Sequence, residues 1–81
     1  MRISVIGAGY VGLVTGVCLA DNGNDVVGHD IDAGKIEALQ AGRLPIYEPG
    51  LSDLLKSNLQ AGRIRFTADA DEAIHHGQVI F

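Results

Sequence analysis

The sequence predicts an α/β fold, a parallel sheet covered by helices on both faces in the order β-α-β-α-α-β-α-β, and three observations carry that expectation. A β-branched run, Ile3-Ser4-Val5-Ile6, stops abruptly at Gly7, as strands of a buried parallel sheet do. Residues 10–20 carry no charge and are closed by Asp21-Asn22-Gly23-Asn24, which marks a helix buried on most sides with Gly23 available for a left-handed cap. Further apolar runs then alternate with helical patterns through short connections, which favour right-handed crossovers and parallel strands.

The elements follow in order. Residues 2–6 form the first strand, and Val26-Val27-Gly28-His29-Asp30 is the second apolar run. Asp32 caps a second helix that closes at Gly42, with Ile31 and Ile36 spaced as a hydrophobic staple. Both prolines fall in Leu44-Pro45-Ile46-Tyr47-Glu48-Pro49-Gly50, and Pro49 is placed to open the third helix at its first turn. Leu51, Leu54, Leu55 and Leu59 make one stripe of that helix. Residues 63–67 alternate polar and apolar as a third strand, residues 71–76 make a short helix ending at Gly77, and a fourth strand begins at Gln78. The pentapeptide Leu-Gln-Ala-Gly-Arg at 39–43 and 59–63 is read as two glycine-capped helix ends rather than a solenoid repeat.

Size and charge narrow the function. A chain of 81 residues buries only ~60% of its unfolded surface, and Gln78-Val79-Ile80-Phe81 opens an apolar strand with no turn signal after it. The expectation is therefore a partial domain. A net charge of −4 with scattered lysines and arginines leaves no basic stripe, which argues against nucleic-acid and anionic-membrane surfaces. The single cysteine, Cys18, reads as a buried thiol in a reducing, cytoplasmic compartment. The apolar stretch 3–20 imitates a secretory signal, but glycines at 7, 9, 12 and 16 would each weaken an inserted helix by roughly 0.8–1 kcal/mol, and no small-x-small cleavage site follows.

Those glycines have another use. Gly7-Ala8-Gly9-Tyr10-Val11-Gly12 follows a strand, opens an apolar helix and precedes Asp30 by eighteen residues. That arrangement is the dinucleotide fingerprint of a Rossmann-type sheet. Gly7 permits the tight turn, Gly9 lets a pyrophosphate approach the backbone, Gly12 lets helix and strand pack closely, and Gly16 extends that contact one turn on. First-turn amides and the helix dipole hold the phosphates without a lysine. Asp30 accepts from the adenosine ribose hydroxyls and would oppose a 2′-phosphate, so NAD is expected over NADP. Lys35 in the next helix is either a ribose neighbour or a solvated surface residue. Flavin sites share the same turn, which keeps an FAD enzyme open, as does a non-catalytic nucleotide-sensing module.

At Gly7-Ala8-Gly9-Tyr10-Val11-Gly12-Leu13, at Asp30-Ile31-Asp32 with Lys35, and above all at Pro45-Ile46-Tyr47-Glu48-Pro49-Gly50-Leu51, the chain resembles the UDP-glucose/GDP-mannose dehydrogenase family over its whole length. The resemblance implies an NAD-dependent, two-step oxidation of a nucleotide-sugar 6-hydroxyl to a carboxylate through a thiohemiacetal on a cysteine. It implies UDP-glucose as substrate, with GDP-mannose or a relative as the alternative, and a homo-oligomeric full-length protein. It also implies that Tyr10 and Val11 lie beside the pyrophosphate, that Asp30 holds the ribose, and that Lys35 sits near it. The nucleophilic cysteine, the lysine and the acid-base carboxylate belong to later segments and match nothing here.

Other candidates take plainer readings. Cys18, i+4 from Val14 and i+7 from Val11, packs on the sheet. His75 and His76 pair with Asp71 and Glu72 at i,i+4 instead of binding metal, because adjacent helical residues point ~100° apart. His29 is structural. Tyr47 and Glu48 follow a helix rather than a strand, so a structural role is favoured, with Tyr47 covering the leucine stripe.

Overall fold

A computed structural model describes residues 1–7, 9–44 and 48–81. It contains β1 (Arg2–Ile6), α1 (Tyr10–Asp21), β2 (Asp25–His29), α2 (Ala33–Gln40), α3 (Leu51–Gln60), β3 (Ile64–Thr67), α4 (Ala70–His76) and β4 (Val79–Ile80), the expected order. Pro45, Ile46 and Tyr47, including the suggested cover of Tyr47 over the leucine stripe, lie outside the described residues, as does Ala8.

The strands pair in parallel in the order β3-β2-β1-β4. Registers Ile6↔His29 and His29↔Thr67 align the carboxyl ends of the first three strands. The chain moves outward from β1 through β2 to β3 and then crosses back to β4, so the strand order reverses beside β1. In open α/β sheets the crevice at such a reversal, outside the carboxyl ends of the strands, is where ligands bind.

Alternation assigns the two faces. Val5, Val26 and Ile64 project toward Gly16 of α1, whereas Ser4 projects the other way and donates its hydroxyl to the Ala73 carbonyl of α4. The larger core, with Leu13, Val17, Ala20, Leu39, Leu51 and Leu55 buried, lies between the sheet and α1, α2 and α3. Asn58 is fully buried and ties α3 to α1 and to the residue before β3: its Nδ2 donates to the Leu54 carbonyl at 2.8 Å and to Asp21 Oδ1 at 3.3 Å, and its Oδ1 accepts from Arg63 Nε at 2.8 Å. With those partners the buried amide avoids the ~1–3 kcal/mol cost of an unsatisfied polar group.

Three helices end alike. Gly23, Gly42 and Gly62 have φ of 98°, 80° and 73°. At each the glycine amide and the amide after it bond back to Ala20 and Leu19, to Leu39 and Ala38, and to Leu59 and Asn58. This is the Schellman closure, and it explains the repeated pentapeptide. Gly77 ends α4 differently, with extended φ of −82°. Its lack of a side chain serves the sheet, because a Cβ there would lie 2.6 Å from Ser4 Oγ.

Several expectations are corrected. The first helix is not buried on most sides: Leu13, Gly16, Val17 and Ala20 face inward, while Val11 is 75% exposed and Cys18 is exposed rather than buried. Only the face carrying Gly12 and Gly16 comes close enough to reach the sheet. The Ile31–Ile36 staple does not form, since Ile31 is 88% exposed. The Asp32 amide instead donates to Asp30 Oδ1 at 3.0 Å, an Asx turn that swings Ile31 outward. Asp32 still caps α2, accepting from the amides of Gly34 and Lys35. Pro49 precedes α3 rather than opening it. The Leu51 amide donates to the Glu48 carbonyl at 3.1 Å and Gly50 has φ of 83°, so Glu48-Pro49-Gly50-Leu51 has the features of a type II turn.

Gly16 is also less constrained than the pattern suggested. A Cβ there would sit 3.6–3.9 Å from Val5, Val26 and Ile64, which is ordinary contact. Gly16→Ala in the full-length protein is therefore expected to stabilise by about 1 kcal/mol, since helix propensity favours alanine by ~0.8–1 kcal/mol. Equilibrium denaturation measures this, and a loss of stability would show that the helix lies closer to the sheet.

Candidate functional site

The residues singled out by the glycine fingerprint converge at the carboxyl ends of β1 and β2. Gly7 leaves β1 with φ of 88°, a conformation that side chains strain to adopt, and its amide donates to the His29 carbonyl at 2.7 Å. The turn out of β1 is thereby pinned to the end of β2. Gly9 is the N-cap of α1, with no side-chain cap above it and no acidic residue in the first turn. The first bond of the helix runs from the Leu13 amide to the Gly9 carbonyl at 2.8 Å. The amides ahead of Leu13 are the orphan donors of a helix N-terminus, aligned with the positive end of its dipole.

Two glycines keep this end of the helix in place and open. A Cβ on Gly12 would lie 2.4 Å from the Gly7 carbonyl oxygen and 3.2 Å from Val5 Cγ1, so Gly12 is required for α1 to approach β1. Among the described residues other than its chain neighbours, no atom lies within 4 Å of where a Cβ on Gly9 would sit. The missing side chain at Gly9 thus leaves the backbone accessible from outside instead of making room for the fold. Anion chemistry fits this cradle, with backbone donors, no competing carboxylate in the first turn and open space above the N-cap.

Asp30 follows β2 directly, its amide donating to the Thr67 carbonyl at 3.3 Å. Its carboxylate accepts from the Asp32 amide at 3.0 Å and lies 3.4 Å from Lys35 Nζ. The two side chains are 17% and 26% exposed, so the structure brings the expected acid and the expected lysine together as a partly solvated ion pair. Val11 projects into solvent from the first turn of α1.

Tyr10, half exposed at the start of α1, donates its hydroxyl to Glu48 Oε2 at 3.0 Å. The Glu48 carboxylate, first as hydrogen-bond acceptor and then as a negative charge, raises the Tyr10 phenol above its ordinary range. Sequence reasoning missed this contact between residues 38 positions apart, because no periodicity links a turn before α3 to the first residue of α1.

The histidine pairs differ from expectation. His75 Nδ1 lies 2.7 Å from the Asp71 carbonyl rather than its carboxylate. His76 turns to the sheet, with Nε2 3.0 Å from the Asp25 carbonyl. Glu72 faces Arg65 and Thr67 on β3, and those two bonds, the arginine first, hold its carboxyl below the usual range. The cation and the hydroxyl on the neighbouring strand outcompete a helical neighbour for the same carboxylate. Among the described residues no group of three or more His, Cys, Asp or Glu side chains is placed to hold a metal, and no helix is long and apolar enough to cross a membrane.

Comparison with known proteins agrees with this geometry. The model of the UDP-glucose/GDP-mannose dehydrogenase family, NAD binding domain, matches residues 1–81. A UDP-glucose 6-dehydrogenase of Rhizobium meliloti (strain 1021) is 56% identical over 81 residues, which are all of this chain and 18% of that protein. A GDP-mannose 6-dehydrogenase of Azotobacter vinelandii is 49% identical over 74 residues, 91% of this chain and 17% of that protein. Among solved structures, a ternary complex of GDP-mannose dehydrogenase from Pseudomonas aeruginosa superposes with a TM-score of 0.95 at 43% identity. A UDP-glucose dehydrogenase from Pyrobaculum islandicum does so at 0.93 and 44%. Each comparison covers 100% of this chain and 19% of the solved one.

Proposed function

This chain belongs to the UDP-glucose/GDP-mannose dehydrogenase family as its NAD-binding domain, and we propose that it holds NAD for the two-step oxidation of UDP-glucose to UDP-glucuronate. The observation that carries the reading is the convergence of the uncapped α1 N-terminus with the Asp30–Lys35 pair at the carboxyl ends of β1 and β2. NAD supplies the hydride acceptor. Gly7 and Gly12 shape the turn, and the backbone at Gly9, Tyr10 and Val11 binds its diphosphate. Asp30 accepts from the adenosine ribose hydroxyls, with Lys35 beside it. The family assignment sets the flavin alternative aside.

The chain spans 18% of the length of the Rhizobium meliloti relative, and in this reading the nucleophilic cysteine, the central domain and the sugar-nucleotide cleft belong to the rest of a cytoplasmic, homo-oligomeric protein. UDP-glucose is placed first because the relatives of that name reach 56% identity. GDP-mannose is the second reading, supported by relatives at up to 51% identity and by the structure with a TM-score of 0.95. Reduction of NAD by the full-length protein with UDP-glucose, GDP-mannose and their N-acetylated relatives decides between them. Turnover of UDP-glucose above the others is expected, and a preference for GDP-mannose would replace that substrate.

A further inference from the structure

We propose that Glu48 is a positioning residue for the cofactor site: it holds the Tyr10 ring, and with it the turn before α3, against the first turn of α1. The inference rests on the NAD-binding reading above and adds to it a residue outside the glycine fingerprint.

Tyr10 is the first helical residue after the Gly9 N-cap, so its amide belongs to the orphan donors and its side chain leaves the backbone at the first turn of α1. Tyr10 is 53% exposed. Packing alone does not fix so exposed a side chain, and immobilising a flexible side chain when a ligand arrives costs free energy. The hydroxyl bond to Glu48 at 3.0 Å meets that cost within the protein before the ligand binds.

Glu48 is itself held. Its carbonyl accepts from the Leu51 amide across the turn, and Gly50 adopts the left-handed conformation that the turn needs. Leu51 and Leu55 then anchor α3 in the core that α3 shares with α1. The buried face of α3 thus fixes the turn that carries a carboxylate, and the carboxylate holds the phenol of the first residue of α1.

The test is a double-mutant cycle in the full-length protein with Tyr10→Phe and Glu48→Ala, reading NAD affinity by calorimetry and KM for NAD, KM for the sugar nucleotide and kcat by turnover. Each single change is expected to weaken NAD binding ~3–10-fold and to raise KM for NAD, leaving KM for the sugar nucleotide unmoved. The double variant is expected to lose no more than either single one. Glu48→Gln, which retains an acceptor oxygen, is expected to bind NAD more tightly than Glu48→Ala.

Tyr10→Phe removes one hydroxyl and keeps the ring, so it reports even where Glu48→Ala disturbs folding. Additive losses, or parental NAD affinity in Tyr10→Phe, would overturn the proposal. If Asp30→Ala also left NAD affinity unchanged, the functional reading itself would fall; if Asp30→Ala weakened binding and the Tyr10–Glu48 cycle showed no coupling, only this inference would.

Discussion

Gly12→Ala is expected to abolish measurable NAD binding by the full-length protein and to destabilise it by about 1–3 kcal/mol or more, the usual cost of overpacking. The methyl would arrive 2.4 Å from the Gly7 carbonyl oxygen. That oxygen belongs to backbone and not to the end of a flexible side chain. Gly7 cannot yield easily, because its φ of 88° is needed to leave β1 and its amide is bonded to the His29 carbonyl at 2.7 Å. The strain therefore falls on the turn that leads into the α1 N-terminus, or it lifts the start of α1 away from β1, and both outcomes displace the amides there. Denaturant unfolding and NAD titration of the same preparation check the two effects. Gly16→Ala, one turn along the same face, is the internal control with the opposite expected sign. Parental NAD affinity in Gly12→Ala would mean that the amides of this turn do not hold the diphosphate.

Much of this architecture was legible because it depends on local rules. A short, continuous apolar run that ends at glycine reads as a strand of a buried parallel sheet, and the Schellman closures at Gly23, Gly42 and Gly62 follow from glycine at positive φ. The candidate site was legible for the same reason, since Gly7, Gly9 and Gly12 shape the backbone of one turn and Asp30 is marked by its place at the end of β2. What escaped was set by direction in space. The spacing that places Cys18 with Val11 and Val14 does not say which way they face: Val11 and Cys18 point outward, while Val14 packs against the core. In an apolar helix hydrophobicity alone does not choose the inner side; the close approach at Gly12 does. Ile31 was misplaced because the Asp30 carboxylate competes locally for the Asp32 amide and turns the chain. The Tyr10–Glu48 contact joins residues that only the packing of α3 on α1 brings together.

The second large effect concerns cofactor choice. Asp30→Ala is expected to weaken NAD binding ~10–100-fold, the loss of hydrogen bonds to a charged acceptor at ~1.5–3 kcal/mol. It is expected to narrow the preference for NAD over NADP at the same time. The carboxylate is held from two sides, by the Asp32 amide at 3.0 Å and by Lys35 Nζ at 3.4 Å. It is therefore ordered before the ribose arrives, and little is lost in arranging it. A 2′-phosphate would bring its own negative charge to that carboxylate, and the partly solvated position of the pair, 17% exposed at Asp30, reduces but does not remove the repulsion. In Asp30→Ala the repulsion disappears and Lys35 is freed to meet the phosphate, so NADP gains where NAD loses. Asp30→Asn separates the contributions: it keeps an acceptor for the Asp32 amide and for one ribose hydroxyl while removing the charge. Its NAD affinity should fall less than that of Asp30→Ala, with a comparable narrowing of the preference. Calorimetric titration of the parent and both variants with NAD and NADP measures all of these shifts, and equal affinities for the two cofactors in the parent protein would remove Asp30 from the ribose.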